Sequence, residues 1–228
     1  MREYGASPKP VDWPPEDHNL WVVGTRPAGI FDTPHAGSRW SDNSRAKCAD
    51  GYGHWLVFLH QAGWLDETGA PGQRVTKQRV ETYIEALEVS GYASFTQVCR
   101  IQELYDALRV MEPGQDWMWL RRILGQLECE ARPVHDKRPR LRPAGQVNAL
   151  GASLMAEAEA SNSMTVIERA RQFRDGLMIA LLIHRPQRPR AFAAMTISKN
   201  VIPVGDRYWL AFGADTKTRR PVAQELPT

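Results

Sequence analysis

"IALLIHRPQRPRAFAAM", residues 179–195, decides how this chain is read. An apolar run stops at His184. Arg185, Arg188 and Arg190 follow, interleaved with Pro186 and Pro189, and a second apolar run begins. Breaking a helix takes one proline; three arginines beside an apolar segment ask for a further reason. Upstream, "LMIALLI" (177–183) is apolar all round, the pattern of a helix buried on every side. Pro189 suits the first turn of a new helix, and it pushes Arg188 out of the α region. After Met195 the period changes from 3.6 to 2. "TISKNVIPV" (196–204) and "RYWLAFG" (207–213) flank Gly205-Asp206, a two-residue hairpin signal. "DTKTRRP" (215–221) then turns into "VAQEL" (222–226), a third short strand.

Working back from that stretch, Thr165 and Glu168 form a capping box for the helix that ends at His184. Ile167, Ala170, Phe173 and Leu177 follow at helical spacing, and Val147, Leu150, Leu154 and Met155 mark a helix before it. "RPVHDKRPRLRP" (132–143) precedes both. It carries Arg132, Lys137, Arg138, Arg140 and Arg142 against Asp136, and three prolines forbid a continuous helix. It reads as an extended basic linker.

Residues 41–131 hold four amphipathic helices. The first covers about 44–62, with Tyr52, Trp55, Leu56 and Leu59 on one face and Gly63 as its left-handed end. Thr76 caps the second, which Gly91 ends; Ser94 and Gln97 read as a capping box for the third. The fourth starts after Asp116 and carries Leu120, Ile123, Leu124 and Leu127. Residues 1–40 read as irregular, an extension punctuated by prolines and pinned by Trp13, Trp21 and Trp40. The expected fold is therefore mainly α. An extension (1–40) leads into a four-helix domain (41–131), a linker (132–143), and an α+β domain (144–228) with a three-stranded antiparallel sheet.

Composition sets the class. The chain has 228 residues, 43% hydrophobic and 24% charged, which suits a soluble globular protein. A net charge of +3 gives no strong overall field, so the local patches matter: the linker, and Lys217, Arg219 and Arg220. Such patches suit a phosphate-bearing partner. Cys48, Cys99 and Cys129 are too few and too scattered for a disulfide framework or a metal pair, and read as free thiols in a reducing compartment. The N-terminus has no apolar core of a signal peptide, and the longest apolar run is far short of the roughly 20 residues a membrane span needs. The expected location is the cytoplasm.

The order of these features resembles the tyrosine recombinase (phage integrase) family. "RDGLMIALLIHRPQRPRAFAAM" (174–195) is similar to the family's stretch in which an apolar helix delivers the first catalytic arginine, and "ADTKTRRP" (214–221) to the strand turn that carries its catalytic lysine. Aligning "FAAM" puts Arg188 on the arginine and Lys217 on the lysine. Pro186 and Gln187 depart from the usual Gly and apolar residue, and Arg190-Ala191 from the usual pair that follows; Arg185 and Arg190 remain rival arginines. The resemblance implies a core-binding domain followed by the first part of a catalytic domain. The implied partner is double-stranded DNA, with other recombinase protomers on it. The resemblance implies no metal, cofactor or membrane.

In that chemistry a tyrosine attacks a DNA phosphodiester. Arginine grips two phosphate oxygens at once, and lysine supplies a proton to the leaving oxygen. Arg132, Lys137, Arg138, Arg140, Arg142, Arg185, Arg190, Arg219 and Arg220 would hold DNA. The family's nucleophilic tyrosine lies beyond the third strand, so the chain as given is expected to bind and not to cut. Two other readings stand beside this one: a non-enzymatic DNA-binding accessory protein, and a helical protein-interaction module. The plainer reading of each site residue is a solvated arginine or a turn lysine, of His184 a core or boundary histidine, and of the first domain's aromatics a core.

Overall fold

The structure, a computed structural model, describes residues 7–31, 34–136, 138–213 and 221–226. These fall into two compact units, Met1–Asp136 and Lys137–Thr228. The described residues are mainly helical, with eight α-helices and one three-stranded antiparallel sheet.

Five helices build the first unit. The segment read as irregular holds α1 (Pro15–Thr25) and, before it, a 3-10 turn at Pro10–Asp12. The prolines mislead because they stand at element starts, where a missing N–H costs nothing: Pro15 opens α1, and Glu16 and Asp17 follow in the turn that favours acids. Trp13 and Trp21 are buried in the same core as the helices that follow. Trp13 meets Trp21 edge-on at 5.4 Å and Tyr52 at 4.8 Å.

α2 (Asp42–Gln61) is capped by Ser41, whose hydroxyl accepts from Ser44 N at 3.3 Å. Gly63, at φ +70, ends it as expected. α2 tolerates two glycines because other chain segments need their space. A Cβ on Gly51 would stand 2.2 Å from Glu103 Cβ, and one on Gly53 would stand 2.6 Å from Ser7 Oγ. Thr76 caps α3 (Lys77–Val89), and Gly91, at φ +75, turns the chain into α4 (Ser94–Met111). Here the expected capping box does not form. Ala93 is the N-cap of α4; the Ser94 hydroxyl instead donates to Arg132 O and accepts from Arg132 N, both at 3.0 Å. Gln97 donates to Tyr92 O at 2.9 Å. α5 (Met118–Glu130) starts where Asp116 accepts from Met118 N at 2.8 Å.

One polar cluster lies inside this core. Asp17 and Arg74 are both almost wholly buried and pair directly. Tyr52 Oη donates to the other Asp17 oxygen at 2.7 Å, and Arg74 Nη1 donates to Gly69 O at 3.0 Å and to Asp66 O. α2 and α4 are fastened by Glu103, which lies 3.6 Å from Lys47 Nζ of α2, and by Arg100, which donates to Asp50 of α2 at 3.1 Å and to Glu103 on its own helix at 2.9 Å.

The second unit is a helical hairpin followed by the sheet. α6 (Ala144–Ala160) and α7 (Val166–His184) approach closely where glycine faces glycine: a Cβ on Gly176 would stand 2.6 Å from Gly151 O. The Thr165–Glu168 capping box is present with both of its bonds. α8 (Pro189–Ala193) starts on Pro189. β1 (Val201–Val204), β2 (Arg207–Phe212) and β3 (Val222–Glu225) pair in sequence order, with Val204 opposite Arg207 across the Gly205-Asp206 turn.

α7 is not buried on every side. Among its residues only Gly176 is fully buried, and Leu177, Met178 and Leu182 each keep over a third of their surface exposed, at 37%, 38% and 37%. An all-apolar sequence states what a helix is able to bury. One packed neighbour covers one face. No helix among the described residues is long and apolar enough to cross a membrane.

Three stability measurements follow. Asp17→Ala strands the buried Arg74 charge and should cost about 3–5 kcal/mol in a urea titration of the full chain. Lys47→Ala, which removes an exposed partner of Glu103, should cost under about 1 kcal/mol. Thr165→Ala should cost about 1 kcal/mol. The Thr165 backbone N–H and hydroxyl hold the Glu168 carboxyl below the ordinary value of 4.5. A carboxyl lowered in the folded state stabilises above its unfolded value and loses that contribution as pH falls through its folded one. The Thr165→Ala penalty should therefore shrink in acid below pH 4.5; a penalty that grows there contradicts the box.

Candidate nucleic-acid interface

The three arginines of the opening stretch have different fates. Arg185 ends α7, its N–H bonded to Leu181 O at 2.8 Å. Its guanidinium turns back into the protein: Nη1 donates to His184 O at 3.0 Å and Nη2 to Glu225 O on β3 at 2.9 Å. Nε is buried without a partner. Arg185 therefore ties the end of α7 to the last strand, where Glu225 also pairs with Arg207.

Arg188 is different. Pro189 behind it keeps it extended, at φ −63 and ψ 140, as the N-cap of α8. Its carbonyl accepts from Phe192 N at 2.9 Å, while the residue as a whole is exposed. Arg190, one turn position later, is exposed as well. Among the described residues neither guanidinium has a hydrogen-bond or ion-pair partner. His184, expected at a core or its boundary, is exposed at the last position of α7.

The basic segment is not wholly extended. Arg138–Arg140 form a 3-10 turn, closed by Leu141 N donating to Arg138 O at 3.0 Å, which Pro139 permits because its fixed φ suits the turn. Arg132, Arg138, Arg140 and Arg142 are exposed. Arg132 Nη1 caps the end of α5 by donating to Cys129 O at 3.0 Å and Ala131 O at 3.1 Å. Arg142 Nη1 donates to Pro139 O and Leu141 O. Residues to Asp136 belong to the first unit and later ones to the second. Lys137, Lys217, Arg219 and Arg220 lie outside the described residues.

The chemistry open to this set is anion binding. A guanidinium bonded through one nitrogen to a carbonyl keeps its remaining N–H groups for a phosphate and gains a fixed orientation. Two features escaped the sequence reading. Ser94 fixes where the basic segment starts, and nothing at helical spacing announces a contact between residues 94 and 132. Arg185 serves the fold, although it stands in the same basic run as Arg188. Compared with known proteins, the chain matches no family model, no curated protein and no solved structure.

The two arginines should separate in a denaturant titration. Arg185→Ala leaves Glu225 O without its donor and should cost about 1–3 kcal/mol. Arg188→Ala should stay within about 0.5 kcal/mol of the parent. The reverse order would make Arg188 the structural residue.

Proposed function

We propose that the chain binds double-stranded DNA as a protein of the tyrosine recombinase type, with α2 to α5 of the first unit acting as its core-binding helices, α1 packed onto them, and the second unit as the start of a catalytic domain. The observation that carries the reading is Arg188. It stands exposed and without an acid partner at the break between α7 and α8, held extended by Pro189. The order around it supports the same reading: a helical unit, a basic segment, an apolar helix ending in arginines, then a three-stranded antiparallel sheet.

In this reading Arg188 grips nonbridging phosphate oxygens, Lys217 takes the part of the family's catalytic lysine, and the basic segment 132–142 holds the backbone. Phosphate contacts of this kind position a protein on DNA without reading sequence. Fixed positive donors are also what a phosphoryl-transfer transition state needs, since charge builds on its oxygens. Arg185 leaves the catalytic candidacy here, because its guanidinium serves β3. A protein-interaction module is the second reading, favoured by the exposed apolar side chains of α7.

Salt dependence tests the proposal. The full chain should bind duplex DNA, with log affinity falling steeply as log salt rises. Replacing Arg138, Arg140 and Arg142 with Ala together should flatten that slope by roughly one unit per lost phosphate contact, whatever the DNA sequence. Binding with an unchanged slope removes the basic segment from the interface, and no binding at low salt leaves the interaction-module reading.

A further inference from the structure

The corner between α3 and α4 presents large apolar side chains to solvent, and the basic segment starts beside it. Tyr92 and Phe95 expose 41% and 53% of their surface, and Val89, the last residue of α3, is more exposed still. Single exposed apolar residues need no explanation. These three lie on a turn that is held in place. Gly91 supplies the positive φ, Tyr92 N donates to Leu87 O at 3.1 Å, and Tyr92 O accepts from Gln97. Between the two aromatics in sequence stands Ser94, whose hydroxyl is bonded to both backbone groups of Arg132. The aromatic corner and the first arginine of the basic segment are therefore fixed against each other within one unit.

We propose that Tyr92 and Phe95 pack against the deoxyriboses of the DNA strand whose phosphate Arg132 holds, so that the interface has an apolar part seated in the helical unit. The inference rests on the DNA-binding reading above. Charge favours DNA over a protein as the occupant. Arg132 has no carboxylate partner among the described residues, and from there to Arg142 the sequence carries five basic residues and one acid. Arg132 spends Nη1 on the end of α5 and keeps its other N–H groups for an anion. Half-exposed aromatic rings on a turn whose Ser94 is bonded to an arginine's backbone suit a sugar–phosphate edge: a ring covers the apolar face of a sugar while the guanidinium takes a phosphate. Ring–sugar contact releases no counterions, so its contribution does not depend on salt.

That difference supplies the test. Affinity of the full chain for a duplex is measured across a salt series for the parent, the double variant Tyr92→Ala with Phe95→Ala, and Arg132→Ala. The double variant should bind about tenfold more weakly at every salt concentration, with the parent's slope. Phe95→Leu, which keeps apolar area, should recover most of the loss when Tyr92 is intact. Arg132→Ala should lower the slope by about one unit. Urea titrations of the variants check that the exposed side chains are not holding the fold. A double variant that binds like the parent overturns the inference while leaving the DNA-binding reading standing, and gives the corner to a protein partner. A parent that binds no DNA overturns both.

Discussion

The helical unit depends on Arg74. It is buried, and its charge is balanced by Asp17, which lies on a different helix far away in sequence. Taking two charges out of water is expensive, and only good geometry with further hydrogen bonds offsets the cost. Here Tyr52 supplies a bond to Asp17, and backbone carbonyls of residues 66 and 69 accept from Arg74. The pair therefore fastens α1, α2 and the turn before α3 to one point. It makes the N-terminal residues part of the core rather than an arm lying on it. Trp13 and Trp21 are then placed against Tyr52 and the face of α2. Through Gly51 and Glu103, α2 sets the position of α4, and through Ser94, α4 sets the position of Arg132. The start of the basic segment is thus fixed by a chain of contacts that begins in the buried ion pair.

The second unit is built on a different balance. A glycine-to-glycine approach brings α6 and α7 together, and a capping box sets where α7 begins. Little else is enclosed: among its described residues the fully buried hydrophobic side chains are those of Ala158 and Leu210. Its order near the candidate site comes from polar ties instead. Arg185 reaches β3, and Asn200 donates to Ala211 O while accepting from Thr196 N, so the strand ends are anchored one by one. Pro189 adds a backbone constraint that no side chain supplies, and Arg188 inherits its direction from it.

What the sequence announced was local. The left-handed glycines at 63 and 91, the Thr76 cap, the Thr165–Glu168 box and the Gly205 turn are each specified by a few adjacent residues, and they stand where the sequence places them. What it hid was the identity of distant partners. Asp17 and Arg74 carry no mark that they pair. Ser94 has the spacing of a cap, yet its hydroxyl goes to residue 132, because a side-chain oxygen takes the donor that tertiary structure offers. α1 was concealed by prolines that open a helix as readily as they break one. The apolar run in α7 told how much surface is able to be buried and not how much neighbouring structure is there to cover it. The same limit applies to the arginines: composition groups 185, 188 and 190 together, and only the position of β3 separates the first from the other two.

Amide hydrogen exchange of the full chain, with and without duplex DNA at low salt, tests the central claim most directly, because it reads every described segment at once. The account requires slowed exchange over 132–142 and around 186–190 when DNA is added, with the core helices α1 to α3 unchanged. Protection absent from both basic segments, or confined to the exposed apolar face of α7, would contradict it.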